Sequence, residues 1–299
     1  MAAQRGSLIL VSLACAALVT AALVAQQPAP PQAPTFRSGI DVVEVDVSAT
    51  DRRGPITGLT AANFLLLDNG VPQQVTSVTL DTLPLSVMLL LDTSSSVTGE
   101  KLDHLVAASR MLVRSLHPED RAALITFSHE VTVRVPLTRD MGAIESALAG
   151  LGAHGATSLD DAVHVALQVR PLDKSRAVLL LFTDGRDTAS FLTADDIVEE
   201  ARRTGVVIHA IELHDRQGAS PVLERLARAS GGRVWSATAP RDLQSLFKGA
   251  LEEMRARYLL TFTPQGVARE GWHNLSVTLK GAQGDVRARP AYFVAPAGK

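Results

Sequence analysis

Short apolar runs alternate with helix-forming segments from Leu85 onward, and this alternation limits the folds open to the chain more than any other feature. Continuous apolar runs of this length are typical of strands that are buried on both faces. They span residues 85–91, 121–127, 177–182 and 206–213. Strand and helix in alternation predict an α/β fold, a doubly wound and mostly parallel sheet with helices on both faces.

Helical periodicity is clearest in two segments between and after these runs. Apolar residues recur on one helical face from Leu102 to Leu116 and again from Leu243 to Met254, within a predicted helix over 241–257. The same reasoning predicts helices at 140–151, 159–169, 194–203 and 220–229. Residues 131–135 follow a turn at Glu130 and are predicted to form an antiparallel edge strand.

The segments on either side of this α/β unit have the pattern of antiparallel strands. Val43, Val45 and Val47 alternate with polar residues, which predicts a half-buried strand. Further strands are predicted at 63–67, 75–80, 258–263, 272–280 and 285–294. We therefore predict an N-terminal β segment at 36–83, an α/β domain at 84–256 and a C-terminal β segment at 257–299, with the two β segments packed into a small β-sandwich.

The N-terminus has the pattern of an export signal. Arg5 precedes an apolar run from Ser7 to Ala25, which predicts a signal peptide at 1–25, followed by a Pro-rich linker at 26–35. The alternative is an uncleaved anchor helix, because the run is about long enough to cross a bilayer. The prediction is a secreted, periplasmic or cell-envelope protein, with membrane contact only if this segment is not cleaved.

Charge and cysteine content exclude several classes of function. The formal net charge of the 299 residues is −2 without a long basic run, so nucleic acid is not expected as a partner. The one cysteine, Cys15, rules out an internal disulfide framework and any multi-cysteine zinc or iron–sulfur site.

Polar residues follow the apolar runs at three places. The clusters are 92–96, 155–158 and 183–185. In a parallel sheet, ligands bind outside the carboxyl ends of the strands. The clusters together supply two carboxylates and three hydroxyls, hard oxygen donors that suit Mg²⁺, Mn²⁺ or Ca²⁺.

These residues resemble a von Willebrand factor A-type domain with a metal-ion-dependent adhesion site. The family pattern is D-x-S-x-S in the first loop, Thr in the second and Asp in the third, and all five places are filled here, by Asp92, Ser94, Ser96, Thr157 and Asp184. The resemblance implies that the three hydroxyls contact the ion and that the two aspartates bind it directly or through water. The flanking segments are similar to those of bacterial exported proteins of this type.

The function implied is that of an exported, divalent-metal-dependent binding module that holds an acidic residue of a protein partner. Such ions take about six oxygens, so five side chains leave a place for an outside carboxylate. The alternative is a structural scaffold of an envelope complex in which the metal only stabilises the loops. An enzyme is not expected, because the serines at 94–96 lack the G-x-S-x-G frame of a hydrolase nucleophile.

Overall fold

The computed structural model describes residues 42–80, 83–171, 173, 175–213 and 220–296. The predicted signal peptide and linker lie outside these residues. In chain order the strands are β1 (Val43–Asp51), β2 (Gly54–Pro55), β3 (Phe64–Asp68), β4 (Val71–Gln73), β5 (Val75–Leu80), β6 (Leu85–Asp92), β7 (Arg121–Phe127), β8 (Val131–Thr138), β9 (Arg176–Thr183), β10 (Val207–Leu213), β11 (Val234–Ala237), β12 (Tyr258–Phe262), β13 (Gly271–Leu279), β14 (Asp285–Ala288) and β15 (Ala291–Val294). The helices are α1 (Glu100–Arg114), α2 (Met141–Ala149), α3 (Leu159–Gln168), α4 (Ala194–Thr204), α5 (Pro221–Ser230) and α6 (Leu243–Arg255).

The central sheet has the strand order β11-β10-β9-β6-β7-β8. Its neighbours pair in parallel except β7 and β8, which pair antiparallel at the edge. Both the mostly parallel sheet and the antiparallel edge strand were predicted, and the doubly wound α/β fold is confirmed.

Strand β6 lies in the middle of this sheet and contributes to a core on each face. Its alternate residues Leu85, Val87, Leu89 and Leu91 pack with α1, α2 and α6, while Met88 and Leu90 pack with α3, α4 and α5. Successive side chains of a strand point to opposite faces, so a strand covered on both sides must be apolar throughout. This explains the apolar run from Val87 to Leu91 within β6.

The segments flanking the α/β unit pair with each other in two antiparallel sheets. One has the order β14-β1-β12-β5, with β2 paired to β1, and the other has the order β15-β13-β3-β4. Each sheet therefore contains strands from both sides of the α/β unit. The two sheets share one apolar core, which includes Val45, Leu66, Leu260, Leu275 and Tyr292. The domain boundaries at residues 84 and 256 remain predictions.

One predicted strand was wrong in its extent. Residues 285–294 form two strands that belong to different sheets, because β14 pairs with β1 and β15 pairs with β13. Arg289 and Pro290 separate them, and Pro290 has no N–H to donate to a ladder. The predicted helix over 241–257 is also shorter, since it begins at Leu243 after a short 3₁₀ turn and ends at Arg255.

The Gly231–Gly232 pair allows α5 to turn back into β11 against the sheet. Gly231 has a φ of 78°, and a Cβ added to Gly232 would lie 1.9 Å from the carbonyl oxygen of Ile208. A larger residue at position 232 would therefore collide with the backbone of β10. None of the helices in the described parts of the chain is both long and apolar enough to span a membrane.

Candidate metal site

Two of the three predicted loops meet at the carboxyl ends of β6 and β9. Asp92, the last residue of β6, accepts hydrogen bonds from the Ser94 amide at 2.8 Å and from the Thr183 hydroxyl at 2.7 Å. The Ser94 and Ser96 hydroxyl oxygens lie 3.0 Å apart, and the Ser96 hydroxyl donates to Asp184 at 2.6 Å. Four of the five predicted ligands thus lie in one hydrogen-bonded cluster.

The second loop packs directly against the other two. The Ser95 amide donates to the carbonyl oxygen of Gly155 at 3.0 Å, which joins the first loop to the second. The third loop connects β9 to α4 and spans residues 184–193. The Thr157 amide donates to the hydroxyl of Thr188 in this loop at 3.1 Å, which joins the second loop to the third. A Cβ added to Gly185 would lie 3.8 Å from Thr157 Oγ1, so this hydroxyl faces the loop that carries Asp184. The fold therefore brings Thr157 beside the cluster.

The cluster is buried on one side and open on the other. Asp92 is fully buried, Ser94 and Thr157 are nearly so, and the Asp184 side chain is 1% exposed. Ser96 is exposed at the surface. An ion at this position would therefore be held from below by carboxylates and would face solvent, or a partner, above Ser96.

Asp92 is a buried carboxylate that forms no ion pair with any of the described residues. Burial raises the pKa of Asp92, hydrogen bonds from Thr183 and Ser94 oppose the shift, and the neighbouring charge of Asp184 adds to it. A nearby cation would reverse this penalty, because opposite charge favours the ionised form.

These donors fit a hard divalent cation. Carboxylate and hydroxyl oxygens are the ligands that Mg²⁺, Mn²⁺ and Ca²⁺ prefer. Within the described residues, no group of three or more His, Cys, Asp and Glu side chains is placed to hold a metal ion. A cation at the Asp92–Asp184 pair would therefore depend on the hydroxyls of Ser94, Ser96 and Thr157 for its remaining protein ligands.

Sequence reasoning missed Lys101, which reaches the same cluster from the first turn of α1. Its ammonium nitrogen lies 2.5 Å from Asp184 Oδ2. The helix macrodipole disfavours a cation in the first turn, where acidic residues are usual. A lysine in the first turn could have indicated this contact, because a positive charge there is stabilised only by a nearby anion.

A second group of carboxylates lies just behind the site, where the third loop contacts α3. Burial raises the pKa of Asp160 to about 6, with further contributions from Asp187, Asp161 and Asp196. The Oδ1 atom of Asp160 is buried and has no hydrogen-bond partner among the described residues. In contrast, Asp161 accepts hydrogen bonds from the backbone amides of Phe191 and Leu192 and so holds the third loop in place.

Replacing Asp160 with Asn should stabilise the protein at neutral pH. The folded protein binds the Asp160 proton more tightly than the unfolded chain, whose carboxyl has the ordinary pKa of 3.8. The penalty for its charge is therefore complete above about pH 7 and disappears as the pH falls towards about 4. After allowance for solvent screening and for the lost interaction with the helix dipole, we expect a gain of roughly 1–2 kcal/mol.

Chemical unfolding at pH 7.5 and at pH 4 measures this effect. The gain from Asp160→Asn should be present at the higher pH and absent at the lower one. Asp195→Asn is the matched control, because that side chain is 83% exposed. Equal gains at both pH values would contradict the assigned cause.

Comparison with known proteins places part of the chain in a described family. Residues 87–186 match the model of the von Willebrand factor type A domain, and this range contains all five predicted ligand positions. An uncharacterized protein of Synechocystis is 26% identical over 61% of this chain and 46% of its own length. Inter-alpha-trypsin inhibitor heavy chain H4 of Bos taurus is 28% identical over 60% of this chain and 20% of its own length. The chain thus spans less than half the length of either relative.

Solved structures with similar folds agree with this match. A von Willebrand factor type A protein from Catenulispora acidiphila has a TM-score of 0.53, with 13% identity over 79% of this chain and 74% of that one. Proximal thread matrix protein 1 from the mussel byssus, with a zinc-occupied adhesion motif, has a TM-score of 0.52, with 18% identity over 62% and 48% of the two chains. Domains of this type are typically interaction or adhesion modules rather than enzymes. Residues 87–186 therefore match a von Willebrand factor type A domain, and the α/β fold around them is of that type.

Proposed function

We propose that this protein is an exported binding module that uses a divalent cation, Mg²⁺ or else Mn²⁺ or Ca²⁺, to hold an acidic side chain of a protein partner. The observation that carries the proposal is the single cluster in which Asp92, Ser94, Ser96 and Asp184 are hydrogen-bonded, with Thr157 beside it. Two buried carboxylates and three hydroxyls supply five of the roughly six oxygens that such an ion takes. A bound cation would offer its remaining position to a carboxylate.

The surroundings of the cluster support a protein ligand. Helix α1 begins at Glu100, directly after the first loop, so its N-terminal dipole favours an anion at the mouth of the site. The third loop also carries Phe191, which is 96% exposed to solvent. Aromatic side chains are common anchors of protein interfaces, and the backbone of this one is held by Asp161. A partner could therefore contact both the ion and this ring.

Export is part of the same proposal and rests on the sequence. The apolar run over 7–25 and the Pro-rich stretch over 26–35 support secretion to the periplasm or cell envelope. The one cysteine, Cys15, lies inside the predicted signal segment. The chain without that segment has no thiol to oxidise, which suits such a compartment.

Metal-dependent stability tests the proposal most directly. We expect the melting temperature of the purified protein to rise when Mg²⁺ or Mn²⁺ replaces EDTA, because a ligand that binds only the folded state stabilises it. Equal melting temperatures in EDTA and in excess Mg²⁺, Mn²⁺ and Ca²⁺ would contradict the metal site.

Partner capture then separates the binding module from a structural scaffold. Proteins retained from an envelope extract by the wild-type protein should be released by EDTA and should be lost with Asp184→Ala. Retention that resists both treatments would favour the scaffold, in which the metal only supports the loops.

A further inference from the structure

Lys101 and Ser96 together occupy both oxygens of Asp184. The Ser96 hydroxyl donates to Oδ1 at 2.6 Å, and the Lys101 ammonium lies 2.5 Å from Oδ2. The Asp184 side chain is 1% exposed, whereas that of Lys101 is 39% exposed. The carboxylate is therefore fixed, while the ammonium sits at the end of a flexible chain that reaches solvent.

The charges of the cluster explain why the ammonium is held there. Asp92 and Asp184 would otherwise bring two negative charges together in a buried position, and burial already raises the pKa of Asp92. Lys101 supplies one positive charge at Asp184, in a helix turn that does not favour a cation. This pairing offsets the repulsion between the two carboxylates and leaves Asp92 without a cationic partner among the contacts described above.

We propose that Lys101 is an internal counter-cation that competes with the divalent ion for Asp184 and so lowers the affinity of the site for metal. The inference rests on the proposed metal site. A divalent ion beside Asp184 would repel the ammonium, which can swing towards solvent because its side chain is partly exposed. The lysine would thus keep the three loops assembled without metal, and would make occupancy depend on the concentration of the ion.

The test compares Mn²⁺ binding by the wild-type protein, Lys101→Met and Lys101→Arg, with free Mn²⁺ measured by electron paramagnetic resonance. Removing a positive charge from beside a divalent ion should lower the Kd of Lys101→Met about tenfold even with water-like screening. Lys101→Arg keeps the charge and should keep the weaker affinity. In EDTA, Lys101→Met should melt at a lower temperature than the wild type, and saturating Mn²⁺ should remove or reverse this difference.

Lys248→Met is the matched control, because Lys248 is 70% exposed and lies on α6, where its neighbour is Glu252. It should leave both the Kd and the melting temperatures unchanged. If the wild type binds Mn²⁺ and the Kd of Lys101→Met is unchanged or higher, the proposed role of Lys101 is wrong. The metal site itself would still stand. If neither protein binds Mn²⁺, the proposed metal site fails and the competition fails with it.

Discussion

Replacing Asp92 with Asn should abolish stabilisation by divalent cations while leaving the metal-free protein at least as stable as the wild type. The carboxylate is fully buried, and burial raises its pKa, so its charge is a cost in the absence of a cation. Asn keeps an oxygen that can accept the hydrogen bond from the Ser94 amide or from the Thr183 hydroxyl. At a cation concentration 100 times the Kd, the wild type should gain about 2.7 kcal/mol and the variant almost nothing.

Asp120→Asn is the matched control for this result. Asp120 is equally buried but lies at the opposite end of the sheet, where it accepts hydrogen bonds from the Leu85 and His117 amides and pairs with Arg255. Its replacement should lower stability by the same amount with and without Mn²⁺, so the gain from the metal should persist. Unfolding by urea in EDTA and in Mn²⁺ measures both variants. A full metal-dependent gain in Asp92→Asn would mean that Asp92 is not a ligand.

Replacing Arg257 with Met should lower the free energy of unfolding by about 3–5 kcal/mol, as is usual when one partner of a buried ion pair is removed. Arg257 follows α6 and is fully buried. Its guanidinium donates to the carboxylate of Asp46 on β1 and to the carbonyl oxygen of Gly231, and it lies 3.9 Å from Glu253. Arg176 at the start of β9 contacts the same Asp46 carboxylate at 2.6 Å. These contacts join the β-sandwich to the α/β unit.

The charges of this network favour its ionised state. Burial opposes ionisation of Asp46, but the charges of Arg257 and Arg176 hold the pKa of Asp46 below its ordinary value. Without Arg257, Asp46 and Glu253 would each lose a cation in a buried position. A carboxyl with a lowered pKa contributes stability above its ordinary pKa, and this contribution is lost as the pH falls into the acid range. The effect of Arg257→Met should therefore be largest near neutral pH.

Arg114→Met is the matched control, since Arg114 is 62% exposed and pairs with Glu145 at the surface. It should change the free energy of unfolding far less than Arg257→Met, because exposed ion pairs contribute little to stability. The two tryptophans report on the two parts of the molecule, because Trp235 lies on β11 and Trp272 on β13. Two variants that each keep one of these tryptophans, and are otherwise wild type, should therefore unfold with coincident fluorescence transitions. A loss below 1 kcal/mol in Arg257→Met would contradict the assigned role of the network.

The elements of the α/β unit were predictable from the sequence because each depends on local pattern. The predicted strand at 121–127 agrees with β7 at both ends, and the predicted helix at 194–203 is α4 without its last residue. Strands buried on both faces must be apolar throughout, and amphipathic helices must repeat at 3.6 residues. The single strand predicted at 285–294 failed because the pattern carries no information on which sheet a residue joins.

The candidate site was predictable in part for a different reason. Asp92 ends β6 and Asp184 directly follows β9, which is its parallel neighbour, so their proximity follows from the fold class alone. The hydrogen bond from Thr183 to Asp92 and the ammonium of Lys101 at Asp184 did not follow, because both depend on side-chain directions at the loop ends. The same holds for Asp160, whose pKa is raised first by burial and then by the neighbouring carboxylates of Asp187, Asp161 and Asp196.

By itself, then, the sequence determined the alternation of strands and helices, the two-faced core around β6 and the set of oxygen donors. Only the tertiary structure decided how these donors are balanced in charge and what holds the α/β unit to the β-sandwich. The burial of an apolar side chain can be predicted from local periodicity, because it depends only on which face of its strand or helix the residue occupies. The partners of Asp184 and Asp46 come from Lys101, Arg176 and Arg257, which are distant in the chain, and charge pairing acts only between groups that the fold has brought together.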